Sequence, residues 1–342
     1  MNLFKKDPLQ IIAFQTYGTD THLYIKGRAL EDESIDLEQK SYFKLFINSW
    51  KRFETDEVKN TPLNIKLPNN KVLQVMSDEK GYFLCDEQVD GLRELTNEEG
   101  WLAFVVSYND VNIQRKIQNE NRFPGEILIP CLDAEFGVVS DIDDTILHTG
   151  LVSTFKWRVI YNTIMKRPSK RTPLKGAADF YHKLHRGSTG KKSNPIFYVS
   201  HSPWNLYRYL EFFLKKNEFP KGPILLRSFP ELFRKRPLDE KPQKQREIVN
   251  LLNAYPDLNF ILIGDSGEHD PDIYTEIAEE YPDRILAIYL RSVRHKTRMT
   301  RVRGLVERFK TTPMLLVEKG EQAIEHARMN NFIAPETQNI DK

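Results

Sequence analysis

Five short apolar runs divide the second half of the chain. They are FGVVS (136–140), PIFYVS (195–200), PILLRSF (223–229), NFILIGD (259–265) and RILAIYL (284–290). Each is centred on consecutive apolar residues that do not alternate with polar ones, which is the pattern of a strand covered on both faces of a sheet. Longer segments of helical pattern lie between them, over 177–185, 204–216 and 244–255. The last places Ile248, Leu251, Leu252 and Tyr255 on one stripe. Strand and helix in alternation make an α/β fold with a doubly wound parallel sheet. In such sheets ligands bind beyond the carboxyl ends of the strands, so chemistry is expected there.

The first half has a different period. HLYIKGRAL (22–30), LNIKLP (63–68), KVLQVMS (71–77), GYFLCD (81–86) and WLAFVVSY (101–108) are rich in β-branched and aromatic residues. Polar turn clusters, LPNNK and SDEKG, separate them, which predicts a small antiparallel sandwich or barrel. With 342 residues the chain has length for two domains. The expected division is a β-rich accessory domain over 1–133, an α/β domain over 134–335 and a tail over 336–342. Charge follows this division. Residues 1–137 carry 16 Lys+Arg and 23 Asp+Glu, a net of −7, and the remainder carries 34 against 25, a net of +9. The shift supports two modules with different partners.

Composition excludes several classes. No apolar run approaches the length that crosses a bilayer, and the start, MNLFKKDPLQIIAFQ, lacks a secretory signal pattern. Cys85 and Cys131 are too few for a disulfide framework or a thiolate metal site. A soluble cytoplasmic protein is expected, and membrane contact, if any, would be peripheral.

Carboxylates collect where the sheet rule places ligands. The first apolar run leads into Ser140-Asp141-Ile142-Asp143-Asp144-Thr145. In extended backbone Asp141 and Asp143 point to one side, where two carboxylates repel unless a cation joins them. Mg²⁺ suits such oxygens, and a carboxylate is also a competent nucleophile toward phosphorus. The fourth run leads into Gly264-Asp265-Ser266-Gly267-Glu268-His269-Asp270-Pro271-Asp272. Asp265, at the strand end, is the stronger metal candidate, whereas Asp270 or Asp272 can serve simply as a helix cap. GDSGE resembles a protease nucleophile loop, but that reading needs an antiparallel two-barrel fold. Ser200 ends the second run and can hold a phosphate oxygen beside a helix start. Lys244 opens a helix and can neutralise phosphoryl charge. Standing alone, Ser200 reads as a cap and Lys244 as solvated surface. His182 and His185 have a metal-pair spacing without a third ligand, so they read as a surface helix face.

Taken in order, Asp141-x-Asp143-x-Thr145, Ser200, Lys244 and Gly264-Asp265-x-x-x-x-Asp270 resemble the four motifs of the haloacid dehalogenase phosphatase superfamily. FGVVSDIDDTILHTG, FYVSHSPWNLYRYLEFFL and FILIGDSGEHDPDIYTEIAEEYPDRILAIYLR resemble one branch, the actin-patch-type phosphatidate phosphatases and their bacterial relatives. The resemblance implies a HAD-like, Rossmann-like and essentially capless sheet, and a Mg²⁺-dependent phosphomonoesterase. Asp141 would form an aspartyl-phosphate, and Asp143 would act as general acid and then base. Asp141, the main-chain carbonyl of Asp143 and Asp265 would hold Mg²⁺, with Asp270 in the outer shell. Ser200 and Lys244 would bind the phosphoryl group and Thr145 would support the loop, with Lys241 the alternative to Lys244.

The implied substrate is phosphatidate or a similar lipid phosphate. A phosphoprotein, a nucleic acid end or a small phosphoester would suit the same chemistry. A binding adaptor with a decayed site is a further alternative, disfavoured because Asp141, Asp143 and Asp265 are all present. From Arg291 to Arg303 the sequence holds six Lys/Arg and no acid. Such a run attracts an anionic membrane surface or nucleic acid phosphates, or is a solvated helix face.

Overall fold

The structure is a computed structural model that describes residues 7–31, 57–109, 113, 115–142, 176–227, 240–266, 269–292 and 296–336. The chain divides into two compact units, Met1–Cys131 with Asn205–Leu210, and Leu132–Trp204 with Glu211–Lys342.

The first unit is β-rich. Strands β1 (Leu9–Phe14), β2 (Thr16–Tyr17), β3 (His22–Glu31), β4 (Pro62–Lys66), β5 (Val72–Met76), β6 (Tyr82–Gln88), β7 (Trp101–Tyr108) and β8 (Phe123–Leu128) form two sheets. One has the order β1-β3-β6 and the other β2-β8-β7-β4-β5. Pairing is antiparallel except between β2 and β8. Leu23, Ile25, Phe83 and Cys85 of the first sheet share one core with Leu63, Ile65, Leu102 and Val106 of the second. A small two-sheet sandwich results, its strands burying alternate residues as period-two segments do. SDEKG turns because Gly81 takes φ +74, and a Cβ there would meet the Ala29 carbonyl oxygen at 2.3 Å. The Asp78 carboxylate closes the same turn by accepting the Lys80 and Tyr82 N–H groups at 2.7 and 2.9 Å.

The second unit is a six-stranded, wholly parallel sheet. In chain order the elements from residue 137 onward are β9 (Gly137–Asp141), α1 (Ala177–Arg186), β10 (Ile196–Pro203), α2 (Tyr207–Lys216, of which Tyr207–Leu210 are counted with the first unit), β11 (Ile224–Arg227), α3 (Gln243–Ala254), β12 (Phe260–Asp265), α4 (Asp270–Glu280), β13 (Ile285–Arg291), α5 (Lys296–Arg308), β14 (Met314–Val317) and α6 (Gly320–Met329). Every residue of β9 and β12 is buried, as apolar runs covered on both faces must be. The stripe expected for α3 is on its buried side, with Ile248, Leu251, Leu252 and Tyr255 all in the core.

Strand order is β11-β10-β9-β12-β13-β14. The chain winds outward from β9 in one direction, returns, and winds outward from β12 in the other. The reversal lies between β9 and β12, where helices on opposite faces diverge and leave a crevice. Val139 of β9 is in register with Phe197 of β10 and with Leu262 of β12. Asp141 and Asp265 therefore end adjacent central strands at the switch point.

Candidate active site

Lys244 reaches this crevice from the first turn of α3. Its ammonium Nζ lies 2.8 Å from Asp141 Oδ1 and also pairs with Asp270 Oδ1. The second oxygen of Asp270 accepts the backbone N–H of Asp265 at 3.0 Å. Two carboxylates, one ammonium and the backbone N–H of Asp265 are thus tied into one cluster. Asp141, Lys244, Asp265 and Asp270 are each no more than 1% exposed.

Burial on this scale makes the charges matter, because a carboxylate or ammonium out of water is costly unless it is paired. Desolvation alone would lower the Lys244 pKa, but the two carboxylates outweigh it and hold the ammonium firmly protonated. Asp270 sits differently. Burial pushes its carboxyl up, Lys244 pulls it down and the nearby Asp141 charge pushes it up again, for a net rise. The asymmetry follows from the count of partners. Lys244 faces two opposite charges, whereas Asp270 faces one opposite and one like charge.

Lys241 goes elsewhere. It is exposed and pairs with Glu276 on α4, which lowers the Glu276 pKa. Of the two lysines, Lys244 is the one facing the carboxylates. Asp272 is exposed as well and meets Arg301 at 2.7 Å. Neither Asp270 nor Asp272 caps α4, whose N-cap position is His269 with no side-chain cap bond. As residues of the first turn they still complement the helix dipole.

Ser200 is fully buried one residue past Val199, which is in register with Asp141. Its hydroxyl oxygen accepts the Ser202 N–H at 3.0 Å, tightening the end of β10. Ser266 is also buried, and its hydroxyl donates to the Arg291 carbonyl at 2.6 Å. Within a parallel sheet this serine has the wrong setting for the protease reading. His182 and His185 place ring nitrogens on the carbonyl oxygens of Glu218 and Asn194, at 2.6 and 2.8 Å. They anchor the α1 face and form no metal pair with each other.

Two tyrosines were not anticipated. Tyr274 donates from its hydroxyl to the Ile263 carbonyl at 3.1 Å, and Tyr181 shares a 2.6 Å hydrogen bond with Ser140. Burial, first of all, raises both phenols well above their ordinary range, so both stay neutral. The available signal for Tyr274 was its spacing of four from Asp270, which puts both on one helix face. Their packing explains Gly264. A Cβ at that position would meet Asp270 Oδ2 at 2.5 Å and the Tyr274 ring at 2.7 Å. Gly264→Ala should therefore lower the thermal midpoint by several degrees, since overpacking a tight site costs about 1–3 kcal/mol. In Gly304→Ala the new Cβ finds only an Arg308 side-chain tip at 3.9 Å. That change should raise the midpoint slightly, because Gly in a helix interior is worse than Ala. Parallel melting curves check both, and equal shifts in the two variants would refute the steric account.

Asp143, Asp144 and Thr145 lie outside the described residues, as do Gly267 and Glu268 and residues 146–175 and 228–239, which lie between the motifs and on which the capless expectation falls. Asp141 and Asp265 supply oxygen donors of the kind Mg²⁺ takes. Among the described residues no group of three or more His, Cys, Asp or Glu side chains comes together as a ligand set. Lys244 stands between Asp141 and Asp270, and the Asp143 carbonyl is not among the described groups.

The basic run adjoins the crevice. Met299 of α5 is buried with its sulfur 3.4 Å from the Ser266 hydroxyl, beside the end of β12. Arg301 and Arg303 are exposed, each paired with an acid, Asp272 at 2.7 Å and Glu318 at 3.4 Å. These pairs reduce the positive charge that α5 presents. No helix among the described residues is long and apolar enough to cross a membrane.

Residues 136–292 match the family model described as phosphatidate phosphatase APP1, catalytic domain. The span covers Asp141, Ser200, Lys244, Asp265 and Asp270. The chain is 30% identical over 246 residues to the phosphatidate phosphatase APP1 of Saccharomyces cerevisiae, covering 70% of this chain and 39% of that protein. It is 27% identical over 222 residues to an uncharacterized protein of Schizosaccharomyces pombe, covering 64% of this chain and 34% of the relative. The chain thus matches little more than a third of the length of either relative.

Proposed function

We propose that this chain, which belongs through residues 136–292 to the phosphatidate phosphatase APP1 catalytic-domain family, releases phosphate from phosphatidate or a similar lipid phosphate. The observation that carries the reading is the buried Asp141–Lys244 pair at the sheet's switch point, inside the matched span. A carboxylate that ends a central strand beside a fixed ammonium suits attack on phosphorus.

In the proposed reaction a carboxylate oxygen of Asp141 attacks phosphorus and the ester P–O bond breaks. The carboxyl becomes an acyl phosphate, and the lipid leaves as its alcohol after taking a proton from Asp143. Water, losing its proton to Asp143, then splits the acyl phosphate into inorganic phosphate and free Asp141. Lys244 balances charge on the phosphoryl oxygens, and Ser200 donates a hydrogen bond to one of them. This is the scheme of the haloacid dehalogenase phosphatases that the motifs resemble. Asp141, Asp265 and the Asp143 carbonyl would hold Mg²⁺, with Asp270 in the outer shell, and the ion would neutralise phosphoryl charge when bound. The run from Arg291 to Arg303 would face an anionic lipid surface, an attraction of about 1 kcal/mol per charge left unpaired near that surface.

Phosphate release from phosphatidate in mixed micelles, set against a soluble aryl phosphate, with Mg²⁺ or with EDTA, tests the reading. We expect Mg²⁺-dependent release with the higher kcat/KM on phosphatidate. Preference for the aryl phosphate would move the assignment to small phosphoesters. No release from either by folded protein would overturn it.

A further inference from the structure

Residues 243, 244 and 245 form the first turn of α3, and all three side chains are buried. Lys244 spends its charge on Asp141 and Asp270. Its neighbour Gln243 is 5% exposed, and among the described residues neither its carboxamide oxygen nor its nitrogen has a hydrogen-bond partner. A buried amide with both ends unpaired is a standing cost that folding alone gives no reason to keep. The turn around it carries no anionic cap. Pro242 occupies the N-cap without a side-chain cap bond, no acid stands in the first turn, and the first N–H to find a helical carbonyl is that of Arg246, bonded to Pro242 at 3.0 Å. As at any helix start, the first-turn N–H groups have no carbonyl partner within the helix, and together with the positive end of the dipole they favour an anion.

We propose that Gln243 is a substrate-binding residue: its carboxamide N–H donates to a phosphate oxygen of the ester, which also meets the first-turn N–H groups of α3. The inference rests on the phosphatase reading above and adds to it a residue that chooses the charge state and shape of the bound group. The ligand chemistry is a phosphate monoester or free phosphate, since both present the same acceptor oxygens.

The test is binding of inorganic phosphate by isothermal titration, with thermal melts, for wild type, Gln243→Leu and Gln243→Glu. Leucine removes the unpaired amide at similar volume, so the free protein should melt at the same temperature or higher. Its phosphate affinity should nevertheless fall about tenfold, the loss of one hydrogen bond to a charged group. Glutamate keeps the shape and places a negative charge on the anion, so affinity should fall further, and KM for the ester should rise in step. A purely structural glutamine would move stability and leave phosphate affinity unchanged in both variants. Unchanged affinity in both, with wild type binding normally, overturns this inference alone. A wild type that neither binds phosphate nor releases it from any ester overturns the phosphatase reading, and this inference with it.

Discussion

Asp141→Asn is expected to lower phosphate release by three orders of magnitude or more while the protein stays folded. The amide is the same size as the carboxylate, so the packing at the end of β9 is kept. What changes is chemistry, because a neutral amide does not form the acyl phosphate, and loss of a covalent nucleophile in other enzymes costs on the order of 10⁴–10⁶ in kcat. Stability should change little. Lys244 loses one partner but keeps Asp270, and Asp270 loses the like charge that helps push it up. The melting midpoint should therefore stay within a few degrees of wild type. Rates and melts measured on one preparation decide the matter. A variant that melts normally and retains most of its rate would rule out Asp141 as the nucleophile, and a residual phosphoenzyme trapped by acid quench would point to another carboxylate.

The parallel sheet was readable because its strands are buried on both faces. VV of β9 and FILI of β12 are uninterrupted apolar runs, and the ends of these strands carry the acids. The strand ends followed from topology once the sheet was inferred. Less of the site could be read. Lys244 lies in the polar string KPQKQRE, where a helix-start lysine resembles solvated surface, and its burial depends on contacts 26 and more residues away in sequence. Gln243 and Gln245 are hidden for the same reason, since nothing local marks a glutamine as buried. Nothing local marks Gly264 as a packing position, yet the neighbours it accommodates are Asp270 and Tyr274. The outer strand β14 and helix α6 also escaped notice. MLLV is only half-buried and too short to announce a strand. In the first unit, β1 and β8 are hard to read because LQIIAF and FPGEIL do not alternate cleanly, one being nearly all buried and the other carrying a proline and a glycine after its first residue.

Lys244→Met should both inactivate the protein and unfold it more easily, and the two effects are separable. Methionine approximates the length and volume of the lysine stem, so the change is chiefly electrostatic. It leaves Asp141 and Asp270 buried together without the ammonium that joins them. Removing one partner of a buried ion pair costs about 3–5 kcal/mol, which for a unit of this size is a midpoint drop of roughly 6–20 °C. Lys241→Met is the control, because Lys241 is exposed beside Glu276 and should leave both stability and rate near wild type. The double variant Lys244→Met/Asp270→Asn then divides the roles. Neutralising Asp270 relieves the uncompensated charge, so stability should recover by a few kcal/mol, a coupling expected of groups in direct contact. Activity should not recover, because the phosphoryl group still lacks its cation. Restored stability with restored rate would make Lys244 a structural counter-ion only. Restored stability without rate, where Asp270→Asn alone keeps most of its rate, would assign Lys244 to both the fold and the reaction.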